Sequence, residues 1–283
     1  MKPATIASTL LSCCAVAAAA AAVSPSDHEL RIPTSYESAV LGRRILALTP
    51  LGTISTVFPQ DKPSRNDVAA EARRPAGLDG MPYGLMEYIS DCEDDELGNP
   101  TILAITIGTT FKNVVAGSNV SLAVQWTPPH PPAKRIESTQ TGRRRRRSWL
   151  SYFLSLETNE GHHDVTPLPY SAANLPRFSL IGHLEPIKGG DDRQGDVGSR
   201  LARCFVKTHP DARYWLPGNH IHEAHFVRLV VEQIYWVGGF GDRAFIGWIP
   251  VEEWQKVTRD EWQKARLPGE KKGWKEWSVW EDL

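Results

Sequence analysis

The feature that most constrains the fold is a pair of β-rich runs near the C-terminus, HFVRLVVEQIYWVGG and AFIGWIP, joined by a glycine-rich turn. At this junction Gly239, Gly241 and Ala244 match the G-x-G-x-x-A dinucleotide fingerprint. That fingerprint holds a pyrophosphate only where its last position opens a helix. Because a strand-like run follows here instead, the pattern predicts a β-hairpin with Asp242 at the turn and excludes a dinucleotide-binding fold.

The order of the remaining elements also argues against a parallel sheet. One amphipathic helix ends near Leu48, and the strand-like runs that follow are separated by turns or brief helical segments. This order lacks regular β-α-β alternation, so it predicts an antiparallel barrel with accessory helices. The predicted strands lie within 51–58, 81–90, 101–108, 119–126, 177–187, 225–239 and 244–250, and the later helices within 197–208, 250–257 and 258–265.

The first 23 residues have the pattern of a secretory signal peptide. Lys2 gives a positive start, and an apolar run ends in alanines that offer several A-x-A cleavage sites. A membrane helix is the alternative, although alanine is weakly apolar and serines and a threonine interrupt the run. Residues 24–36 are predicted to be an unstructured leader. We therefore expect a secreted, extracellular or vacuolar protein, with no membrane segment after cleavage.

Cysteine count and one sequon bear on that compartment. Cys13 and Cys14 would leave with the signal, so Cys92 and Cys204 remain. These two either form a single disulfide or stay as free thiols, and the sequence does not decide between the two states. Asn119 begins an Asn-Val-Ser sequon, which predicts N-glycosylation in a secreted chain.

A Pro-rich and then basic stretch at 127–176 is predicted to be a disordered insertion. Its five consecutive arginines, Arg143 to Arg147, are expected to be a solvated loop, with cleavage by basic-residue-directed proteases as the second reading. A nucleic-acid site is disfavoured, because the net charge of the whole chain is −1 and no aromatic platform accompanies the arginines.

The histidine-rich stretch GNHIHEAH invites a metal site. His220 and His222 would share one face of a strand, as metal ligands can. However, His225 comes one residue too early for the H-E-x-x-H motif, and no carboxylate completes a ligand set, so no metal is predicted. No nucleophile–base arrangement is legible either, and no catalytic residue is assigned.

The C-terminal 26 residues, 258–283, form a Trp-rich segment that is predicted to be helical. Thr258 and Glu261 have the spacing of a capping box at its start. The tryptophans are expected to pack on the domain or on a partner subunit rather than to bind a ligand.

Residues 203–257, together with MPYGLMEYIS, GNPTILAITI and FSLIGHLEPI, resemble the CREG-like proteins. These belong to the FMN-binding split-barrel superfamily, alongside the pyridoxamine 5'-phosphate oxidases. The resemblance covers roughly 35–257 outside the insertion at 127–176, and the split-barrel domain is assigned to 37–257. It implies a mainly β, α+β fold, namely a six-stranded antiparallel Greek-key split barrel that is usually a homodimer. In flavin-binding relatives FMN lies at the subunit interface.

The resemblance also locates a departure from the flavin-binding pattern. Relatives that bind FMN carry a basic pair after the strand that corresponds to MPYGLMEYIS, whereas this chain has Asp91-Cys92-Glu93-Asp94-Asp95-Glu96. Five carboxylates would repel a phosphate dianion, and Arg73 and Arg74 are the nearest alternative cations in sequence. We therefore expect a cofactor-free binding or regulatory scaffold. The alternative is an FMN-dependent oxidoreductase, whose chemistry would come from the flavin.

Overall fold

The computed structural model describes residues 31–60, 74–93, 96–134 and 170–276. Twelve helices and strands are numbered here in chain order. The helices are α1 (Ser35–Leu48), α2 (Thr109–Val115), α3 (Asp196–Thr208), α4 (Val251–Lys256) and α5 (Arg259–Lys264). The strands are β1 (Leu51–Val57), β2 (Pro82–Ser90), β3 (Thr101–Ile105), β4 (Val120–Gln125), β5 (Arg177–Pro186), β6 (Ala224–Val237) and β7 (Ile246–Ile249).

Six of these strands close into a barrel. Going round the wall, the order is β1-β2-β3-β6-β5-β4 and back to β1, and every pairing is antiparallel. The chain therefore passes from β3 to β4 on the far side of β1, which is a Greek-key crossing. Strand β7 pairs with the end of β6 beyond the barrel proper. The predicted six-stranded antiparallel split barrel with accessory helices is confirmed.

Alternation of side chains explains why these segments are strands. In β1, Ile54 and Thr56 are buried while Leu51 and Val57 at its ends are exposed, as a half-buried strand requires. A bulge at Ile181/Gly182 shifts the register of β5 against β6. The position needs glycine, because a Cβ on Gly182 would lie 1.8 Å from the carbonyl oxygen of Val230.

Helix α1 closes one end of the barrel. Thr34 caps it and forms a capping box with Glu37, so the helix begins one residue after the cap. Ala39, Ile45 and Leu46 are buried in the main core, which includes the indole of Trp254 from α4. The predicted helix up to Leu48 thus starts at Ser35, inside the segment expected to be leader.

A second core lies under α3. Leu201 and Phe205 of this helix pack against Leu103 of β3 and Phe226 of β6. Phe205 and Phe226 meet edge to face, with ring centroids 5.6 Å apart. This core fixes α3 against the outside of the barrel wall, next to the loop that follows β2.

The tail beyond α5 is not helical where it is described. Helix α5 ends at Lys264, and residues 265–276 run as turns and extended chain. Trp274 packs on the main core and donates its indole N–H to the carbonyl oxygen of His130, at 2.6 Å. Over the described residues 258–276, the helical prediction therefore holds for α5 and is wrong for 265–276, and this segment packs on the start of the predicted insertion. Within the described ranges, no helix is long and apolar enough to cross a bilayer.

Candidate functional site

The acidic turn, residues 91–96, follows β2 and leads into β3. Two of its carboxylates are paired with arginines. Glu93 contacts the guanidinium of Arg228 on β6 at 2.7 Å, with side chains 10% and 24% exposed, and Glu96 contacts Arg259 of α5 at 3.4 Å. The turn is thus held by ion pairs to two separate elements. Asp94 and Asp95 lie outside the described residues.

A disulfide between Cys92 and Cys204 joins the acidic turn to α3, with the two Cα atoms 5.7 Å apart. Cys92 is 5% exposed and belongs to the core under the helix. Of the two states left open by the sequence, the structure therefore contains the bonded one. Whether the purified protein holds this bond stays a prediction for thiol titration.

Of the two alternative cations named from the sequence, Arg74 has partners in the segment before β2. Arg74 donates to the carbonyl oxygen of Pro59 at 3.2 Å, forms an ion pair with Asp79 and lies over the ring of Phe58 at 5.1 Å. Arg73 lies outside the described residues. A flavin phosphate at the acidic turn would therefore meet carboxylates whose neighbouring arginines are already engaged, and the residues present do not fit that group.

The outer face of the barrel carries a groove that sequence reasoning did not find. Cross-strand pairing places Met86, Thr53, Ala123, Ser179 and Tyr235 in one row across five strands. The three central residues are small and the two at the ends are large, so the row forms a trough. This trough has a volume of about 660 Å³ and is also lined by the turn between α1 and β1.

One charged side chain lines the trough. Arg177, at the start of β5, pairs across the sheet with Gln125 of β4. Its Nη1 donates to the carbonyl oxygens of Ala173 and Leu175, each at 3.4 Å, which orients the guanidinium. Among the described residues, no carboxylate lies within ion-pair distance of it. The trough is thus an apolar surface with a single cation beside its central row, two residues along β5 from Ser179.

A half-buried carboxyl, that of Glu87, lies under α2. Thr110 donates to Oε1 of Glu87 on β2 at 3.0 Å, and Asn113 donates to Thr56 at 3.0 Å. Burial raises the pKa of Glu87 above its usual range, although the hydrogen bond from Thr110 opposes this shift. The groups bond one another across the helix–barrel contact, which indicates a role in attaching α2.

The histidine loop does not assemble a metal-ligand set. His225 Nδ1 lies 2.7 Å from Asp191 Oδ2, and its Nε2 lies 3.5 Å from Glu223 Oε1. His220 and His222 are exposed on a loop that Asn219 rigidifies by accepting from the backbone N–H groups of residues 221 and 222. In the part of the chain that is described, no three His, Cys, Asp or Glu side chains are placed to hold one ion.

The remaining predicted features fall in turns or outside the described ranges. The fingerprint glycines form the turn between β6 and β7, where Ala244 donates its N–H to the carbonyl oxygen of Phe240. The hairpin prediction is therefore confirmed and the dinucleotide reading is excluded. Asn119 is exposed between α2 and β4. The arginines at 143–147 lie outside the described residues.

The barrel topology defines a split-barrel protein, and a comparison at the level of sequence families identifies which one. The family described as "CREG, beta-barrel" matches residues 33–256. The chain belongs to this family. The match spans both ends of the barrel, from the capped start of α1 to the end of α4. In a search of curated proteins, none matches the chain.

Several solved structures are similar to the chain at low identity and low TM-score. A heme-binding protein from Mycobacterium smegmatis is 15% identical, with a TM-score of 0.45 over 80% of this chain and 61% of that one. HutZ, the heme storage protein from Vibrio cholerae, is 12% identical, with a TM-score of 0.36 over 69% and 89%. A FAD-binding protein from Mesorhizobium loti is 13% identical, with a TM-score of 0.31 over 68% and 87%. The chain thus spans 61% of the Mycobacterium smegmatis protein's length.

Proposed function

We propose that this chain is a secreted or vacuolar, homodimeric glycoprotein that acts by binding, without flavin, through the outer face of its barrel. The observation that carries this proposal is the state of the acidic turn. Glu93 and Glu96 engage Arg228 and Arg259, the cations beside the turn. A phosphate dianion would have to displace these carboxylates and would still face their negative charge.

Flavin content tests the proposal directly. The chain from about residue 24 is secreted from a eukaryotic host and purified, and its visible spectrum is recorded before and after titration with FMN. We expect no flavin spectrum at either stage. Stoichiometric flavin in the purified protein would instead support the alternative, an FMN-dependent oxidoreductase.

A pair of matched variants tests whether the acidic turn prevents FMN binding. Glu96→Gln removes one carboxylate and releases Arg259, whereas Asp260→Asn removes an exposed carboxylate on α5. If repulsion at the turn blocks the phosphate, Glu96→Gln gains measurable FMN affinity and Asp260→Asn does not. Equal behaviour of the two variants would show that the turn does not control flavin binding.

Secretion and glycosylation are supported by the position of two features. Asn119 is exposed in the turn before β4, and a disulfide suits an oxidising compartment. A glycosidase that removes N-glycans should lower the apparent mass of the secreted protein. Asn119→Gln and Ser121→Ala both destroy the sequon and should abolish that change, because the acceptor needs both positions.

A homodimer is supported by exposed apolar groups on β7, which lies beyond the trough. Trp248 is 57% exposed and Ile246 is 43% exposed, and residues two apart on a strand lie on the same face. We expect a dimer by light scattering. Trp248→Glu should give a monomer, whereas Val115→Glu, at a 91% exposed position on α2, should leave the dimer intact. A monomeric wild type would contradict this part of the proposal.

A further inference from the structure

The trough has the dimensions and outline of a small-molecule site. Its floor is Thr53, Ala123 and Ser179 on three neighbouring strands, and its ends are the larger Met86 and Tyr235. A volume of about 660 Å³ falls within the range of pockets that hold ligands of drug size. The shape comes from side-chain size along one cross-strand row, so a ligand would lie across the strands.

The polar groups of the trough are unevenly placed. Arg177 is the one charged residue in the lining, and its direct cross-strand neighbour Gln125 adds an amide beside it. The backbone carbonyls of Ala173 and Leu175 engage only Nη1 of the guanidinium. Its Nε and Nη2 have no hydrogen-bond partner among the described residues, and donors of this kind bind carboxylate or sulfonate oxygens in a fork.

We propose that the trough binds a small organic monoanion: a flat apolar molecule with one carboxylate or sulfonate on the side that faces Arg177. The apolar body would lie over Ala123 between Met86 and Tyr235, and the anion would accept hydrogen bonds from Arg177. A single guanidinium matches a single negative charge. This proposal deepens the proposed function, because it names a ligand class for the outer binding face.

The test uses 8-anilinonaphthalene-1-sulfonate as a fluorescent probe with two competitors of equal shape. These are 2-naphthoate, which carries the charge, and 2-naphthamide, which does not. The full secreted protein is titrated at physiological ionic strength. We expect 2-naphthoate to displace the probe about tenfold more effectively than 2-naphthamide, since one charge-assisted hydrogen bond corresponds to roughly that ratio.

Four variants locate the site. Arg177→Gln should weaken 2-naphthoate about tenfold and leave 2-naphthamide unchanged. Arg193→Gln, at an exposed turn before α3, is the matched control and should change neither. Ala123→Ile fills the floor at an exposed strand position that favours β-branched residues, and it should abolish both. Ser179→Val fills the next position of the same row. It gives an independent test if Ala123→Ile misfolds.

Several results would overturn the proposal. Equal competition by the two naphthalenes would show that Arg177 does not select an anion. Probe binding that survives both filling variants would place the site elsewhere. If a second copy covers the trough, neither competitor acts and Ala123→Ile yields monomer. Failure of the proposed function is seen separately, as flavin in the visible spectrum before any probe is added.

Discussion

The guanidinium of Arg43 lies 5.8 Å from the ring centroid of Trp254, and both side chains are buried. Arg43 donates to the carbonyl oxygen of Trp254 at 3.1 Å, and the indole N–H of Trp254 donates to that of Gly98, also at 3.1 Å. Arg43 of α1 is thus joined to α4, and Trp254 of α4 is joined to Gly98, which follows the acidic turn. A buried cation is tolerated here because backbone carbonyls and an aromatic face replace its water.

The first prediction concerns Gly98, which has φ +76°. A Cβ at this position would lie 2.5 Å from Nε1 of Trp254 and 2.6 Å from Nε of Arg43, so the pair would have to separate. We expect Gly98→Ala to lower the free energy of unfolding by about 3 kcal/mol or more, the strain of a left-handed residue plus a broken core contact. Urea unfolding followed by tryptophan fluorescence measures this.

Gly77→Ala is the control for that variant. Gly77 has a similar φ of +85°, but a Cβ there would meet nothing within 4 Å. Its cost should therefore be the backbone strain alone, about 1–2 kcal/mol. If the two variants are equally destabilised, contact of the new Cβ with Trp254 and Arg43 does not contribute to the loss of stability.

The second prediction concerns the disulfide. The bond between Cys92 and Cys204 closes a loop across a sequence separation of 112, so reduction should lower the free energy of unfolding by about 4 kcal/mol through the larger entropy of the open unfolded chain. Unfolding with and without reductant measures the loss. The double variant Cys92→Ala/Cys204→Ala should be insensitive to reductant. Two free thiols per chain in the native protein would contradict the bond itself.

The third prediction is a pH dependence at the end of the barrel that α1 closes. Arg44 donates to Glu270 Oε2 at 2.6 Å, with both side chains about 12–13% exposed, and this hydrogen bond holds the pKa of Glu270 below its usual range. The Arg44–Glu270 pair therefore stabilises the folded state at pH values above 4.5, the ordinary pKa of a glutamate. This stabilisation is lost as the pH falls through the lower pKa that Glu270 has in the folded state.

Glu270→Gln should accordingly cost about 2 kcal/mol at neutral pH, typical of a hydrogen bond between charged groups. The gap between wild type and variant should close in unfolding measurements below about pH 4. Asp260→Asn is the control, because Asp260 pairs with Lys264 in the open, and its effect should stay within about 0.5 kcal/mol. A gap that does not change with pH would contradict the ion pair.

The fourth prediction is a pH dependence of stability with the opposite sign, at Glu87. Burial raises the pKa of Glu87, so ionisation of this carboxyl opposes folding. The protonated carboxyl stabilises the folded state, and this stabilisation is lost as the pH rises above 4.5 through the higher pKa of the folded state. Glu87→Gln keeps an acceptor for Thr110 and stays neutral. Its stability relative to wild type should therefore increase between pH 4 and pH 7. Glu185→Gln, at an exposed position on β5, should show no such trend.

Local patterns predicted most of the elements. The run 177–187 contains β5, the run 225–239 covers all of β6 except Ala224, and the helix expected at 197–208 is α3, which begins one residue earlier. In each of these segments, the spacing of the apolar residues predicts the secondary structure. Between Lys264 and residue 276 the predicted helix is absent, and Trp274 instead donates its indole N–H to the carbonyl oxygen of His130, a partner that no local pattern indicates.

The acidic turn shows where local reasoning stops. Its carboxylates are visible in the sequence, and their repulsion of a phosphate follows from charge alone. The partners Arg228 and Arg259 lie far along the chain, on β6 and α5, so no local pattern pairs them with Glu93 and Glu96. The turn is therefore anchored as well as acidic.

The sequence by itself determined the strands, the turns between them and the absence of a dinucleotide fold, because these depend on neighbours within a few residues. Tertiary structure alone decided which strands lie side by side. Thr53, Ala123 and Ser179 are unremarkable residues in three separate strands, and they form a floor only when β1, β4 and β5 pair in this register. If the register of these strands shifted by one residue, the three side chains would face the core instead of the outer surface, and the trough would be lost.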